Sequence, residues 1–376
     1  MPGTLATFYF EGTGGFVLTR HVPYLIDPRT PLLQTLDVRR GPPKKSHLKL
    51  AEIHDHDVIA TWPHYEIDRS HWEDGRWPAV VASVLDFQLS YSGTATAKVS
   101  KYLQLLRDAG RDVPARNPPD PQWLVPPYWA VDSARDPWWA LTRQAVQIAV
   151  AAHGGRVTPI LTLRNDVPIF MFAELIEQMP DGITDVFCWS SNWQEANATE
   201  TDIRNWVGVI ETASARGVRV RNLYGGYLSV LLTSKGLSGL NHGVGYSEAR
   251  DYRRLSATGA PPTRYYVPAL REFMTVPTAQ PVIDHLPAEW ACPCPVCQTV
   301  VAADGRPRIG GLNPEALKKH FLFARAAEFQ RVDASLEDEL DDLELVGKWV
   351  EENSRPFLPA ADGSRLRGWA RILRTL

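Results

Sequence analysis

Thr158-Pro-Ile-Leu-Thr-Leu163, Pro168-Ile-Phe-Met-Phe-Ala-Glu-Leu-Ile-Glu177 and Thr184-Asp-Val-Phe-Cys188 follow one another as a short apolar run, an amphipathic run and a second short apolar run. That alternation is the pattern of βα units on a parallel sheet. It continues outward into the helical stretch Thr201–Glu211 and the candidate strand Val218-Arg-Val-Arg-Asn222, and backward to the candidate strand Ala79-Val-Val-Ala82. The interval between strands fits a (β/α)8 barrel of about 250 residues, whose functional groups collect on loops at the C-terminal ends of the strands. A doubly wound open sheet is the alternative, although no Gly-x-Gly-x-x-Gly turn supports a dinucleotide site in it.

Beyond this pattern comes Cys292-Pro-Cys294-Pro-Val-Cys297, followed by His320 on the helical stretch that begins at Pro314. The turn can present three thiolates from one short loop, and its prolines limit the entropy lost on binding a metal. With His320 the set is Cys3His, a closed tetrahedral arrangement suited to a structural Zn2+. A disulfide reading is poorer, because cysteines this close form strained rings and leave an odd thiol. A reduced thiol cluster with a chance histidine is the plain alternative. Cys188, inside an apolar run, reads as a buried core residue.

The expected architecture is therefore α/β: a (β/α)8 TIM-type barrel over residues 1–285, a zinc-binding segment over 286–334 and a helical extension over 335–376. The 376-residue chain is 44% hydrophobic, the balance of a globular protein. No apolar run reaches the roughly 20 residues needed to span a bilayer, and Met-Pro-Gly-Thr-Leu at the start lacks the form of a signal peptide. Both observations lead to the expectation of a cytoplasmic protein without membrane contact. A net charge of −3 argues against a general polycation. Local basic runs at Arg39–Lys45, Arg250–Arg254 and Arg365–Arg371 could still meet phosphates, and each could equally be a solvated surface. The proline-rich stretches 112–127 and 259–268 read as long loops. Thirteen Trp and 30 Pro suit either a rigid cleft or ordinary packing.

A Cys-x-Cys-x-x-Cys loop and a later helical histidine, appended to a (β/α)8 pattern, resemble the tRNA-guanine transglycosylase superfamily. Its members include bacterial and archaeal tRNA enzymes and relatives that place 7-deazaguanines in DNA. The resemblance is clearest from about Arg216 to Val332. Upstream, Val81-Ala-Ser-Val-Leu-Asp-Phe-Gln-Leu-Ser90 is similar to the family's Asp-Ser-Gly-Gly-Phe-Gln strand end, keeping Phe87, Gln88 and Ser90. The resemblance implies base exchange: an aspartate attacks C1′ of the target nucleotide, guanine leaves, and a deazaguanine replaces it while a second aspartate helps move the proton.

The departures are as informative. Gly236-Leu-Ser-Gly-Leu-Asn241-His242 falls where the family carries its nucleophile, so Asn241 stands in the place of the attacking carboxylate. An amide lacks the charge that such an attack needs. Ser83 falls at the second aspartate, with Asp86 nearby as a replacement. Arg164, Trp189 and the glycine-flanked Tyr224-Gly225-Gly226-Tyr227 occupy the positions expected to bind substrate. Tyr224 can stack on a base and the glycine amides can meet phosphate, or the segment is a tight βα turn. His242 and Glu248, on the polar loop that also carries Asp251, could supply a proton carrier and a replacement carboxylate, or the loop only anchors the barrel rim. His54-Asp-His56-Asp57 reads as a polar surface strand rather than a second metal site, and Trp138-Trp139 as packing.

Two functions follow. One is a divergent zinc-containing transferase of the transglycosylase type that exchanges guanine or a 7-deazaguanine in nucleic acid. The lack of a recognisable RNA-binding module favours DNA over tRNA. The other is a catalytically inactive relative that binds nucleic acid or pairs with an active subunit, as a homo- or heterodimer.

Overall fold

The computed structural model describes residues 25–34, 75–89, 121–241, 250–252 and 263–376. Its centre is a five-stranded sheet, β1 (Ala130–Val131), β2 (Ile160–Leu163), β3 (Asp185–Ser190), β4 (Arg219–Leu223) and β5 (Leu240–Asn241). The strands pair in chain order and every pairing is parallel. A parallel bridge between Leu25 and Trp123 places the segment 25–34 beside the chain that leads into β1.

Each connection carries a helix. These are α2 (Pro137–His153), α3 (Met171–Glu177), α4 (Glu200–Ala215) and α5 (Tyr227–Leu232), after an earlier helix α1 over residues 77–89. Asp136 caps α2 ahead of Pro137, and Thr199 with Asp202 forms a capping box on α4, so donors left open by the first turn are satisfied.

Side chains alternate across each strand. Leu161, Leu163, Val186, Cys188 and Val220 join Val146, Phe172, Ile176 and Trp206 of the helices in one core. Ile160, Phe187, Trp189 and Leu223 face the other way, into a second core whose described members also include Val125, Tyr128, Ala130 and Tyr252 and, among the described residues, none of α2, α3 or α4. The helix-side core is aromatic where it is deepest, with Phe172 and Trp206 rings 5.6 Å apart. Truncating either to alanine would cost about 3–5 kcal/mol.

Two expectations need correction. Ala79–Ala82, expected as a strand, lies within α1. Val80, Val81, Val84, Leu85 and Gln88 are buried while Ala79, Ala82 and Asp86 are exposed, which is a helical stripe. A run of four small and β-branched residues is too short to distinguish the two periods. Residues 259–268, expected as a loop, include β6 (Arg264–Val267), which pairs antiparallel with β7 (Glu272–Thr275).

The remainder is helical: α6 (Val276–His285), the short α7 (Pro295–Gln298), α8 (Pro314–Ala334), α9 (Leu336–Glu352) and α10 (Ala360–Thr375). Asn313 and Ser335 cap α8 and α9 through their side-chain oxygens. Helices α9 and α10 cross at two glycines so closely that a Cβ on Gly363 would collide with the Gly347 carbonyl oxygen. A buried charge group ties α9 to the sheet side: Glu339 accepts from Tyr227 of α5 and from Arg271 at 2.8 Å, and Arg271 also reaches Asp342 at 2.7 Å. Among the described residues no helix is long and apolar enough to cross a membrane.

Candidate metal centre and strand-end site

Pro295 opens α7 and Cys294 caps it, its sulfur accepting from the Cys297 amide at 3.4 Å. That turn brings the three cysteines of the loop together against α8. The potential ligand atoms of Cys292, Cys294, Cys297 and His320 all lie within 4.8 Å of one another, and all four residues are buried. His320 Nδ1 is 3.6, 3.4 and 3.3 Å from the sulfurs of Cys292, Cys294 and Cys297. A tetrahedral ion with bonds of about 2.3 Å to sulfur and about 2.0 Å to nitrogen would separate the two kinds of atom by about 3.5 Å. The spacing therefore fits a metal ion, and all four cysteines are free of disulfides.

The imidazole is fixed from its far side. Its Nε2–H donates to the Tyr266 carbonyl at 2.7 Å, which aims Nδ1 at the sulfurs, the orientation of a metal-bound histidine. Tyr265 stacks on the same ring, centroids 4.2 Å apart and planes 9° apart. The Tyr265 hydroxyl lies 3.2 Å from Cys297 Sγ, and burial keeps it protonated far beyond the ordinary phenol range. In the metal-free chain, burial opposes a proton on His320, but hydrogen bonds to Cys292 and Cys294 outweigh it and push the imidazole up to about 9. Hydrogen bonds from Cys292 and Cys297 hold the Cys294 thiol well below its ordinary value. Hydrogen bonds with Cys292 and Cys294, together with burial, push the Cys297 thiol up instead, so a cation among the sulfurs is what would let all three serve as thiolates. A cavity of about 480 Å3 opens beside Cys292, lined also by Arg271, Trp290 and Glu339.

A second cluster forms at the C-terminal ends of the strands, on the sheet face away from the helices. Asp27 is buried, and its Oδ1 accepts from the Tyr128 hydroxyl at 2.6 Å and from the Arg29 amide at 2.8 Å. Its Oδ2 is buried without a hydrogen-bond partner, with Arg29 Nε 3.9 Å away. The Arg29 guanidinium lies 5.2 Å from the Trp189 ring, and the Tyr224 ring lies 5.1 Å from Trp189 and hydrogen-bonds Arg29 through its hydroxyl. Arg250 stands 5.7 Å over Tyr224 and donates to its hydroxyl at 3.2 Å, while its carbonyl accepts from Trp189 Nε1 at 3.1 Å. Arg29, Asn192 and Tyr224 all hold positive φ, an unusual concentration of strained non-glycine backbone at one end of a sheet. The same end holds a buried Asp251, since Tyr252 N–H bonds Ser191 and Asn192 N–H bonds the Arg250 carbonyl.

Of the residues singled out in the sequence, Trp189 and Tyr224 thus meet at one site. Asn241 ends β5, exposed, with its carbonyl accepting from the Gly225 amide at 3.0 Å. The Gly226 amide bonds the buried Glu195 carboxylate, whose own proton affinity is raised by burial. Neither glycine amide is therefore open to phosphate. Glycine is required at 225, where a Cβ would sit 2.6 Å from Ser229 Oγ. Arg164 is engaged by Asp132 at 2.7 Å and Asp136 at 3.4 Å, joining the ends of β1 and β2. Ser83 and Asp86 lie on α1, Asp86 exposed, rather than at a strand end. Gln88, beside them, is buried and bonds both polar groups of the Val125 backbone. His242, Glu248, Ser90, Arg253, Arg254, Arg39–Lys45 and His54–Asp57 lie outside the described residues. Cys188 is buried in the core, and Trp138 stacks on Trp129 at 5.7 Å, as packing residues do.

Asp27 and Arg29 were not singled out by the sequence reading. The signal available was Leu25-Ile-Asp27-Pro28, an apolar step followed by an acid before proline, where the chain is driven toward extended backbone and away from helix. Comparison with protein-family models, with curated proteins and with solved structures finds no match to this chain.

Proposed function

We propose that the protein is a zinc-containing base-exchange enzyme of the transglycosylase type, acting on a guanine or 7-deazaguanine of nucleic acid, with its site at the strand ends. The observation that carries this reading is the pairing of a Cys3His centre late in the chain with a buried aspartate, Asp27, at the C-terminal end of a parallel sheet. Zn2+ is the ion that three thiolates and one imidazole in tetrahedral spacing suit best. Bound there, it would fasten the loop 292–297 to α8 and leave no position for substrate.

A closed (β/α)8 barrel is the architecture that best accounts for the sheet. Strands in strict chain order, with helix residues in only one of its two cores among the described residues, fit a barrel wall better than a doubly wound sheet covered on both faces. The strand-end cluster is then the barrel mouth. There, Asp27 offers a carboxylate oxygen free to take a proton or to meet a developing cation, while Tyr128 and the Arg29 amide hold the other oxygen. Tyr224, half-buried against Trp189, offers ring surface for a base, and the half-buried Arg250 supplies positive charge for phosphate, while the buried Arg29 keeps its charge beside Asp27. Asp251 is the second carboxylate at this end. DNA is the favoured nucleic acid, with tRNA as the alternative.

A binding-only reading rests on one specific observation: the strand end of β5 presents Asn241, an amide. Labelled guanine or 7-deazaguanine, incubated with the protein and either DNA or tRNA, separates the two. Label fixed in either nucleic acid supports exchange; nucleic-acid binding without label supports the inactive form.

A further inference from the structure

Tyr265 touches two of the four residues of the Cys3His set with one side chain. Its hydroxyl is 3.2 Å from Cys297 Sγ, and its ring lies flat on His320 at 4.2 Å. The next residue on β6, Tyr266, receives the His320 Nε2–H on its carbonyl at 2.7 Å and sends its own hydroxyl the other way, to Glu328 at 2.8 Å. Successive residues of a strand face opposite sides, so one dipeptide can grip the histidine in two ways and the thiolate in a third. Tyr265 is 1% exposed, so no water competes strongly for that hydroxyl.

We infer that Tyr265 is a positioning residue of the metal centre, donating a hydrogen bond to the Cys297 thiolate while it sets the plane of the His320 ring. The inference rests on the reading of Cys292, Cys294, Cys297 and His320 as metal ligands. A hydrogen bond to a ligating sulfur draws charge from it and lowers the energy of its donor electrons. The stacked ring restricts His320 to the rotation that aims Nδ1 at the ion. Partners of this kind are worth 10–100-fold in metal affinity.

The experiment compares the full chain with Tyr265→Phe, which keeps the ring and removes the hydroxyl, and uses two readouts. Competition for Zn2+ with a chromophoric chelator should show the variant binding about 10- to 100-fold more weakly. In the Co2+-substituted proteins, the sulfur-to-cobalt charge-transfer band should move to lower energy in the variant while the d–d bands keep their tetrahedral form. If Tyr265→Phe does not fold, uniform 3-fluorotyrosine labelling of the wild-type chain gives a stronger hydroxyl donor and should move the same band to higher energy. Equal affinity with an unmoved band in Tyr265→Phe, or an unmoved band in the fluorotyrosine protein, overturns the inference. Failure of the wild-type chain to take up either metal would instead overturn the metal reading on which it rests.

Discussion

The guanidinium of Arg29 lies 5.2 Å from the indole of Trp189, and both side chains are buried at the end of the parallel sheet. A cation this deep is held by its surroundings. Burial disfavours its charge, and interactions with Tyr224, Asp27 and Tyr128 overcome that cost and keep it protonated. Arg29→Met should remove the partner of Asp27 without filling its electrostatic role. The expected loss is about 3–5 kcal/mol of stability, read as a lower midpoint in urea unfolding at pH 7. A midpoint within error of wild type would mean that Arg29 does not support the strand-end site.

The metal centre should titrate. Below about 9 in the metal-free chain, His320 Nδ1 carries a proton at the position a metal would take. Metal uptake at pH 7 should therefore release protons, and affinity should fall as pH falls. The sign for the metal-free chain is opposite: a histidine raised above its unfolded value of about 6.5 stabilises fully below that pH and loses its contribution as pH rises through about 9. Calorimetric titration with Zn2+ in two buffers of different ionisation enthalpy measures the protons released, expected to be about one or more. Identical heats in the two buffers would contradict this.

Removing a ligand should act on the fold first. Cys294→Ser replaces a thiolate that also caps α7, so it should cut metal content below one equivalent and lower the melting temperature. Metal analysis of freshly purified, chelator-free protein checks both chains. Wild-type protein without metal would overturn the assignment of the centre.

The metal ligands were legible because their geometry is local: three cysteines share one turn, and a single helix supplies the histidine. Strands β2 and β3 were legible for a related reason, since strands buried on both faces read as nearly continuous apolar runs, whereas β4 was legible from the alternation of Val218 and Val220 with arginines. Asp27 and Arg29 were not, because what fixes them is distant. Tyr128, which holds Asp27, is separated from it by 101 positions in the chain, and Thr30 bonds the Tyr128 backbone across 98. Residues 79–82 were misjudged because a four-residue Ala-Val-Val-Ala run fits a strand as well as it fits the buried stripe of α1.

The crossing of α9 and α10 should resist any added side chain. A Cβ on Gly347 would stand 2.6 Å from Arg367 Cγ and 2.7 Å from the Gly363 carbonyl oxygen, and the carbonyl cannot swing away. Gly347→Ala should destabilise by about 1–3 kcal/mol through overpacking, despite alanine's better helix propensity. Thermal melting checks the sign, and a higher melting temperature would show that the helices part easily.

Asp185 should govern part of the acid limb of stability. Burial alone would raise it, but hydrogen bonds from Arg219, Arg221 and Thr184 outweigh burial and hold its carboxyl below the usual value. A depressed carboxylate contributes stability that is present above its unfolded pKa and lost as pH falls through the folded one. The stability difference between wild type and Asp185→Asn should therefore be largest near neutrality and shrink below about pH 4. A difference independent of pH from 7 to 3 would contradict the assignment.

Base exchange, as we propose it, runs on Asp27 at the strand ends. Its most direct test is the rate at which labelled guanine or 7-deazaguanine enters DNA or tRNA with wild type, Asp27→Asn and Asp86→Asn. Wild type and Asp86→Asn, whose residue is exposed on α1, should incorporate label, and Asp27→Asn should lose at least about 100-fold, the scale of removing a catalytic acid or base. Incorporation unchanged by Asp27→Asn, or lost in Asp86→Asn instead, would contradict it.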